Sequence, residues 1–175
     1  MLQGKIRIEW CYFQKTLGKL LPRRFNMTEI LIREAKASDL LTIRNLILEL
    51  IETMGDTVGI DIKLITENFQ NILSEANSHI MVAETNGVVV GFVSLTTRKT
   101  ILHHGLSGLI DEFIVAKSYR GKGVGRQLMS STIEKSRQLG CCEVEVSTEK
   151  TNTKAREFYR QCGFTERGVL FEIDL

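Results

Sequence analysis

The chain has 175 residues, of which 43% are hydrophobic and 25% are charged. These values are typical of one soluble domain with a sizeable core, and the absence of an 18-residue apolar run argues against a transmembrane helix. The net charge is +2, but residues 1–26 carry six basic residues against one acidic residue, so the remainder carries −3. So weak a charge excludes nucleic acid as the main partner, and we expect no membrane partner either.

The four cysteines predict free thiols. Cys141 and Cys142 are adjacent and cannot readily bridge each other, while Cys11 and Cys162 complete no C-x-x-C pair for zinc. Unpaired cysteines are typical of the reducing cytosol. We therefore predict a cytoplasmic protein without a metal ion.

Residues 1–26 differ from the rest of the chain and are assigned as an N-terminal extension to a domain over 27–175. Apolar and polar residues alternate near Trp10, and the stretch lacks the apolar core of a secretory signal. Three interpretations stay open: an upstream start, a structured addition, or a basic interaction arm.

The first half of the domain predicts a strand, two helices and a hairpin. Residues 29–33 form the strand, and Ser38 or Asp39 caps a helix that ends at Gly55. A loop over 56–60 leads to a second helix over 61–75. Strands over 79–84 and 88–97 flank Asn86-Gly87, a dipeptide that favours the positive φ angles of a hairpin turn.

The second half begins with a loop over 98–105, where His103 and His104 have no third ligand spaced for a metal site. We interpret both as exposed loop residues. The remaining elements are listed in order: a strand over 109–115, a helix over 124–139, a strand over 142–147, a helix over 152–161 ended by Gly163, and a last strand over 164–175. The order β-α-α-β-β-β-α-β-α-β predicts an α/β fold, a mixed sheet with helices on both faces.

Three alternate glycines stand where the strand over 109–115 gives way to the next helix: Gly121, Gly123 and Gly125. Glycine lets the backbone approach a ligand closely, and a helix start offers unpaired N–H groups, so the stretch favours an anion site. Arg126 stands where a P-loop counted from Gly121 needs its second glycine, and where a dinucleotide fingerprint needs its last glycine. A glycine-rich turn without a ligand is the alternative.

Residues 115–125, V-A-K-S-Y-R-G-K-G-V-G, resemble the acyl-CoA signature of the GCN5-related N-acetyltransferase (GNAT) superfamily, in which proline is common at the position of Lys117. A second stretch, N-T-K-A-R-E-F-Y-R-Q-C-G-F over 152–164, is similar to a second motif of the same superfamily. The resemblance covers roughly residues 28–175. It implies the GNAT fold, in which the fourth and fifth strands splay apart around the pantetheine arm of acetyl-CoA.

The resemblance implies a set of residues that bind the co-substrate acetyl-CoA. Phe113, Ile114 and Val115 would contact pantetheine through their backbone. Asn152 would both cap its helix and bind pantetheine, and Ala155 is small enough to allow close approach. The loop that would bind the pyrophosphate comprises Arg120, Gly121, Lys122, Gly123, Val124, Gly125 and Arg126. Lys154 and Arg156 would either meet the phosphates or form a solvated face.

Acyl transfer to an amine needs a base for the amine and stabilisation of the thiolate that leaves. Asp111 and Glu112 are adjacent carboxylates in a strand, so only one faces the substrate unless a bulge intervenes. The resemblance favours the position of Asp111, whereas periodicity leaves the choice open, and a salt-bridge partner is the alternative. The resemblance also implies that Tyr159 protonates the thiolate, with a core aromatic residue as the alternative.

The sequence thus predicts an acetyl-CoA-dependent N-acetyltransferase that moves an acetyl group directly to a primary amine of a small molecule or peptide. Acidic residues near the site, with Asp56 and Asp61 in the first interhelical loop, suit a cationic acceptor. A non-catalytic acyl-CoA-binding regulatory module is the alternative. Residues 169–175 would form either a homodimer contact or an internal edge.

Overall fold

The structure is a computed structural model that describes residues 29–54 and 61–173. The predictions for residues 1–26 and for Asp56 lie outside the described residues. The elements, in chain order, are β1 (Ile30–Glu34), α1 (Leu40–Met54), α2 (Ile62–Ile72), β2 (Ser78–Thr85), β3 (Val88–Lys99), β4 (Leu106–Val115), α3 (Val124–Gln138), β5 (Cys141–Val146) and α4 (Thr153–Gln161). Short 3₁₀ turns, Ala37–Asp39 and Lys117–Tyr119, precede α1 and α3.

The five strands form one mixed sheet in the order β1-β2-β3-β4-β5. The first four strands are antiparallel neighbours, and β4 and β5 run parallel because α3 carries the chain back between them. This arrangement confirms the predicted α/β mixed sheet.

Helices cover both faces of the sheet, and each face has its own core. The α3-side core contains Met81, Ala83, Val90, Val93, Leu95, Ile110, Val115, Val124, Leu128 and Met129. The α1-side core contains Ile43, Leu46, Phe69, Ile80, Val82, Val89, Phe92 and Ile114. Side chains of β3 and β4 enter both cores, since successive residues of a strand point to opposite faces. These two strands are therefore held firmly from both sides.

The start of α1 is organised by Asp39, the third residue of the preceding 3₁₀ turn, whose N-cap is Lys36 rather than the predicted Ser38 or Asp39. Its carboxylate accepts the backbone N–H of Lys36 at 2.8 Å and two bonds from the guanidinium of Arg33, at 2.7 and 3.0 Å. Arg33 also donates to Glu84 at 2.8 Å, so β1, β2 and the first helix are tied at one point.

The hairpin between β2 and β3 is confirmed. Asn86 and Gly87 have φ angles of +51° and +76°, the left-handed values that the two central positions of its turn require. Thr85 lies opposite Val88 across this turn. The turn sets the pairing of the residues next to it, and a register shift between Ala83 and Glu84 changes the pairing further along the hairpin.

The predicted last strand is wrong for the residues that the structure describes. Residues 164–173 form no strand, and the apolar side chains of Val169, Phe171 and Ile173 are exposed. The end of this segment is rich in apolar residues, as in a strand, but a strand also needs a neighbour that accepts its hydrogen bonds. Among the described residues β5 pairs with β4 alone, so residues 164–173 add no strand to the sheet.

Candidate active site

A β-bulge lies in β4 at the two adjacent carboxylates. Val93 pairs with Phe113 and Leu95 pairs with Ile110, so Ser94 alone stands opposite both Asp111 and Glu112. Two residues against one is the definition of a bulge, and bulges occur often beside active sites.

The bulge places both carboxylates on the same face of the sheet. Ile110 belongs to the α3-side core, so the next residue, Asp111, points to the α1 face. Ile114 belongs to the α1-side core, and counting back through Phe113 assigns Glu112 to the α1 face as well. From the sequence, only one of the two carboxylates is expected to face the substrate unless a bulge intervenes. The bulge is present, so both carboxylates lie on one face.

Two hydroxyl groups of β3 hold the two carboxylates. Ser94 donates a hydrogen bond to Oε2 of Glu112, and Thr96 donates to Oδ2 of Asp111 at 2.7 Å. Glu112 is partly buried, and this burial raises the pKa of its carboxyl group above the ordinary value, with a further contribution from the charge of Asp111. The hydrogen bond from Ser94 acts in the opposite direction. Asp111 is exposed, so the two neighbours have different environments.

The second half of β4 has an unpaired edge. Its pairing with β5 ends where Ile110 meets Val146, although β4 continues to Val115. We call the side of residues 111–115 that faces away from β3 the free edge. An unpaired strand edge presents backbone N–H and C=O groups to whatever lies beside it.

The orientation of these backbone groups follows from one hydrogen bond. Ala116 donates its N–H to the carbonyl of Val90 on β3 at 2.9 Å. Because N–H groups of an antiparallel strand alternate in direction, that of Ile114 also points to β3, and those of Phe113 and Val115 point to the free edge. The free edge therefore offers two N–H donors in the same direction.

The glycine loop, residues 120–125, follows β4 and leads into α3. Gly121 and Gly123 have φ angles of +74° and +84°, and Gly123 is the N-cap of α3. A Cβ atom at either position would meet nothing within 4 Å, so open space lies in front of this backbone. Gly125 differs, because its Cβ would lie 3.4 Å from the ring of Phe158 on α4. The first two glycines thus supply backbone conformation and access, while the third lies against α4.

The side chain of Arg120 is held by the protein itself. Its Nε donates to the carbonyl of Val115 at 2.7 Å, and its terminal nitrogen binds Glu49 of α1 at the same distance. The same carboxylate oxygen accepts the backbone N–H of Lys117 at 2.8 Å. Glu49 therefore anchors the glycine loop to α1. Two other basic side chains, Lys122 in the loop and Arg126 in the first turn of α3, are exposed.

An aromatic cluster packs on the α3 face beside the free edge. The ring of Phe113 stacks on that of Phe158 with centroids 5.3 Å apart, and Tyr159 contacts both rings edge-on, at 6.5 and 5.5 Å. Phe164 completes the cluster at 5.9 Å from Tyr159. Burial raises the pKa of Tyr159 to about 12, so its phenol stays protonated at neutral pH.

The second motif begins α4. Asn152 is its N-cap, and the side-chain oxygen accepts the backbone N–H of Ala155 at 3.1 Å, which confirms the predicted cap. Arg156 donates to Glu166 at 2.6 Å and to the carbonyl of Lys150 at 3.0 Å. Arg156 is thus engaged within the chain, whereas Lys154 is exposed.

The loop histidines, Cys141 and Cys142 lie outside the residues described above, whereas Cys162 packs beside the aromatic cluster and contributes to the raised pKa of Tyr159. His103 is half-buried, shares a hydrogen bond with Thr100 at 2.8 Å and lies 3.3 Å from Glu143. Cys141, Cys142 and Cys162 are free thiols, as predicted for these three residues. No helix within residues 29–54 and 61–173 has the length and apolar character needed to cross a bilayer.

Sequence reasoning missed three residues that shape the site: Glu49, Ser94 and Thr96. Ser94 and Thr96 had a detectable signal, since they are polar residues at alternate positions of a strand whose same-face neighbour, Phe92, is buried in the core. Glu49 carried no signal, because its partners lie 68 and 71 residues further along the chain.

The sequence profile of the "Acetyltransferase (GNAT) family" matches residues 46–164, which include the bulge, the free edge, the glycine loop and the aromatic cluster. The chain belongs to the GNAT family. It is an N-acetyltransferase, as its named relatives also indicate. The aminoalkylphosphonate N-acetyltransferase of Salmonella typhimurium is 30% identical over 140 residues, which cover 80% of this chain and 88% of that protein. An aminoglycoside N(6')-acetyltransferase type 1 of Stenotrophomonas maltophilia is 29% identical over 115 residues, covering 62% of this chain and 75% of that protein.

Solved structures support the GNAT fold independently. An aminoglycoside N-acetyltransferase solved in complex with CoA superimposes with a TM-score of 0.74 at 23% identity. The superposition covers 89% of this chain and 99% of that chain. At this identity the similarity shows the fold alone. The parting of β4 from β5 beyond Ile110 agrees with the splayed strands that the GNAT resemblance implied.

Proposed function

We propose that this GNAT enzyme transfers the acetyl group of acetyl-CoA directly to a primary amine of a small cationic molecule, with Glu112 as the base. The observation that carries the proposal is the bulge at the start of the free edge. It holds a partly buried carboxylate of raised pKa directly beside the backbone that would bind the thioester. A base whose pKa is raised toward the working pH transfers protons efficiently.

The geometry fits acetyl-CoA along one continuous path. The open space in front of Gly121 and Gly123, at the N-terminus of α3, suits the pyrophosphate, because a helix start favours an anion. The free edge suits the pantetheine arm, whose amides would bond the backbone of Phe113 and Val115. When bound, acetyl-CoA supplies an acetyl thioester, and the chain supplies the groups around it. Asn152 and Ala155, at the start of α4, would border this path, as the GNAT resemblance implies.

The side chains that assist the reaction lie on opposite faces of the sheet. On the α1 face, Glu112 accepts a proton from the ammonium group of the acceptor, directly or through water, which frees the nitrogen lone pair for attack. As the new C–N bond forms, the N–H of Phe113 on the free edge stabilises the charge on the carbonyl oxygen. The C–S bond then breaks, and on the α3 face the phenol of Tyr159 donates a hydrogen bond to the departing thiolate, which takes a proton from solvent. The acylated nitrogen releases its second proton to solvent to give the neutral amide, and Glu112 returns its own proton to solvent.

Asp111 differs from Glu112 in role. It is exposed, and Thr96 fixes its carboxylate on the same face. A second carboxylate beside the base would attract an acceptor that carries positive charge. The relatives that act on aminoalkylphosphonates and aminoglycosides support a small-molecule amine as the acceptor.

The test is release of CoA from acetyl-CoA, measured by mass spectrometry with a panel of amines. The panel contains an aminoalkylphosphonate, an aminoglycoside, a polyamine, an amino sugar phosphate and a lysine peptide, with a control that lacks acceptor. Mass detection avoids thiol dyes, which would react with the cysteines of the chain. We expect turnover above control with one class. Binding of CoA without turnover on any amine would contradict the proposed transfer to this class of acceptor.

The role of Glu112 is tested by Glu112→Gln, which keeps the shape of the side chain and removes the base. General-base catalysis is typically worth 10²–10⁴-fold, so we expect kcat to fall by about that factor with CoA affinity retained. The matched control is Glu145→Gln on β5, whose carboxylate pairs with Arg98 outside the free edge. If both variants behaved alike, Glu112 would not be the base.

A further inference from the structure

We propose that Ser94 is a positioning residue of this enzyme: its hydroxyl fixes the carboxylate of Glu112 and sets the pH at which that group becomes a base. The inference rests on the proposed function, in which Glu112 receives the proton of the amine. It concerns a residue of β3 that lies outside both GNAT motifs and that the sequence did not single out.

The hydroxyl of Ser94 is buried beside the α1-side core. Ser94 is only 5% exposed and follows Phe92 of that core by two residues, so both side chains point to the same face. A buried hydroxyl lowers stability unless it is hydrogen-bonded. Its partner is Glu112, so the serine and the carboxylate satisfy each other.

The bulge gives this pair its geometry. Because Ser94 is the one residue of β3 opposite both bulge residues, its hydroxyl reaches Glu112 across the strand pair while Thr96, two residues further, reaches Asp111. Each hydroxyl thus binds a different carboxylate. Ser94 and its partner are the more deeply buried pair, and Thr96 and Asp111 form the more exposed pair.

The direction of the effect follows from the hydrogen bond. Donation from Ser94 favours the charged form of the carboxylate, so it lowers the pKa of Glu112 against the larger effect of burial, which raises it. Ser94 therefore keeps a desolvated carboxylate ionised at a lower pH than burial alone would permit. Removal of the hydroxyl would raise the pKa of Glu112 further, and activity would be lost at a higher pH as the base becomes protonated.

Other charged residues belong to the strands and to the helix on this side of the sheet. They are Asp111 on β4, Arg98 on β3, Glu143 and Glu145 on β5, and Arg44, Glu49 and Glu52 on α1. Arg98 is paired with Glu145, and Glu49 with Arg120. Within the described part of the chain, Asp111 is the one charged residue that contributes to the pKa shift of Glu112, and it raises the pKa. Ser94 is the group that opposes this rise.

The experiment compares Ser94→Ala with Ser94→Thr and Thr96→Val. The first removes the hydroxyl, the second retains a hydroxyl on the same Cβ, and the third removes the hydroxyl that serves Asp111. The pKa of Glu112 is measured by ¹³C NMR titration of carboxyl-labelled glutamate in the protein without acetyl-CoA, with the signal assigned by its loss in Glu112→Gln. The pH profile of kcat/KM is measured in parallel, and urea unfolding checks that each variant is folded.

We expect Ser94→Ala to raise the pKa of Glu112 and to move the acidic limb of kcat/KM to higher pH by the same amount. On that limb, kcat/KM should fall about tenfold, the loss expected from one hydrogen bond to a charged group. Ser94→Thr should restore both values toward those of the natural chain, and Thr96→Val should leave the limb in place.

Each other outcome has one meaning. An unchanged pKa of Glu112 in folded Ser94→Ala would overturn the inference, whatever the activity. A raised pKa with an unmoved acidic limb would retain Ser94 as the group that tunes Glu112 but would remove Glu112 as the base, so it would overturn the proposed function instead. Lower activity with neither shift would show a purely structural role for Ser94.

Discussion

Replacement of Tyr159 by phenylalanine tests the other half of the proposed chemistry with the smallest change available. The substitution removes one hydroxyl and keeps the ring that packs against Phe113, Phe158 and Phe164. Among the described residues none is hydrogen-bonded to this hydroxyl, so its loss leaves no protein group unsatisfied. We therefore expect the free energy of unfolding to change by no more than about 0.5 kcal/mol.

The size of the kinetic effect can be worked out from the pKa. A general acid contributes typically 10²–10⁴-fold. The pKa of Tyr159 is raised to about 12, whereas a free thiol has a pKa of about 8.5, so complete proton transfer from the phenol to the thiolate is uphill. Tyr159 then stabilises the sulfur mainly as a hydrogen-bond donor while charge develops. The lower end of the range, about 10²-fold in kcat, is the expected loss.

The assay separates catalysis from binding. In Tyr159→Phe we expect kcat to fall about 10²-fold with the Kd for CoA unchanged within about twofold, because a hydroxyl that acts in the transition state does not contribute to ground-state binding. Tyr119→Phe is the matched control, since Tyr119 lies in the turn before the glycine loop with its ring under Lys122, and phenylalanine keeps that ring. A kcat within threefold of the natural enzyme would remove Tyr159 from the mechanism.

Two further predictions concern the glycine loop and the start of α1. Gly123→Ala should lower the free energy of unfolding by about 1–2 kcal/mol, because φ is +84°, and it should also weaken CoA binding. Gly140→Ala is the control: its φ is +83° and the space in front of it is equally open, so we expect the same loss of stability with CoA affinity intact. Calorimetry measures both quantities. Asp39→Asn should cost about 1.5–3 kcal/mol at pH 7, because the Arg33 guanidinium holds the pKa of this carboxyl below its usual value. A depressed pKa stabilises the fold above the unfolded value of about 3.9, so in urea titrations the difference should shrink as the pH falls below about 4, and a constant difference would contradict it.

The features that the sequence predicted correctly are those with local physical causes. The Asn86-Gly87 turn is dictated by two residues that tolerate positive φ, and both have it. The N-cap role of Asn152 depends on a backbone N–H only three residues away. The order of helices and strands up to α4 follows from periodicities of 2 and 3.6 residues, which are likewise local.

The features that the sequence did not predict depend on distant partners. The bulge at Asp111 and Glu112 is defined by the pairing of β4 with β3, and neither carboxylate signals it. Glu49 contacts the glycine loop across about 70 residues of chain. The segment after Phe164 has apolar residues suited to a strand, but apolar residues alone do not indicate a neighbouring strand.

One strand accounts for most of the proposed chemistry. The first half of β4 is paired on both sides and therefore rigid, and its second half is paired on one side only. The bulge lies where this change occurs, so the base is held by a fixed scaffold while the adjacent backbone stays available to a ligand. Phe113 points to the opposite face and contacts the ring of Tyr159. A thioester in the gap would thus meet the base from one face and the acid from the other, and attack and departure would take place on opposite sides of the same carbonyl.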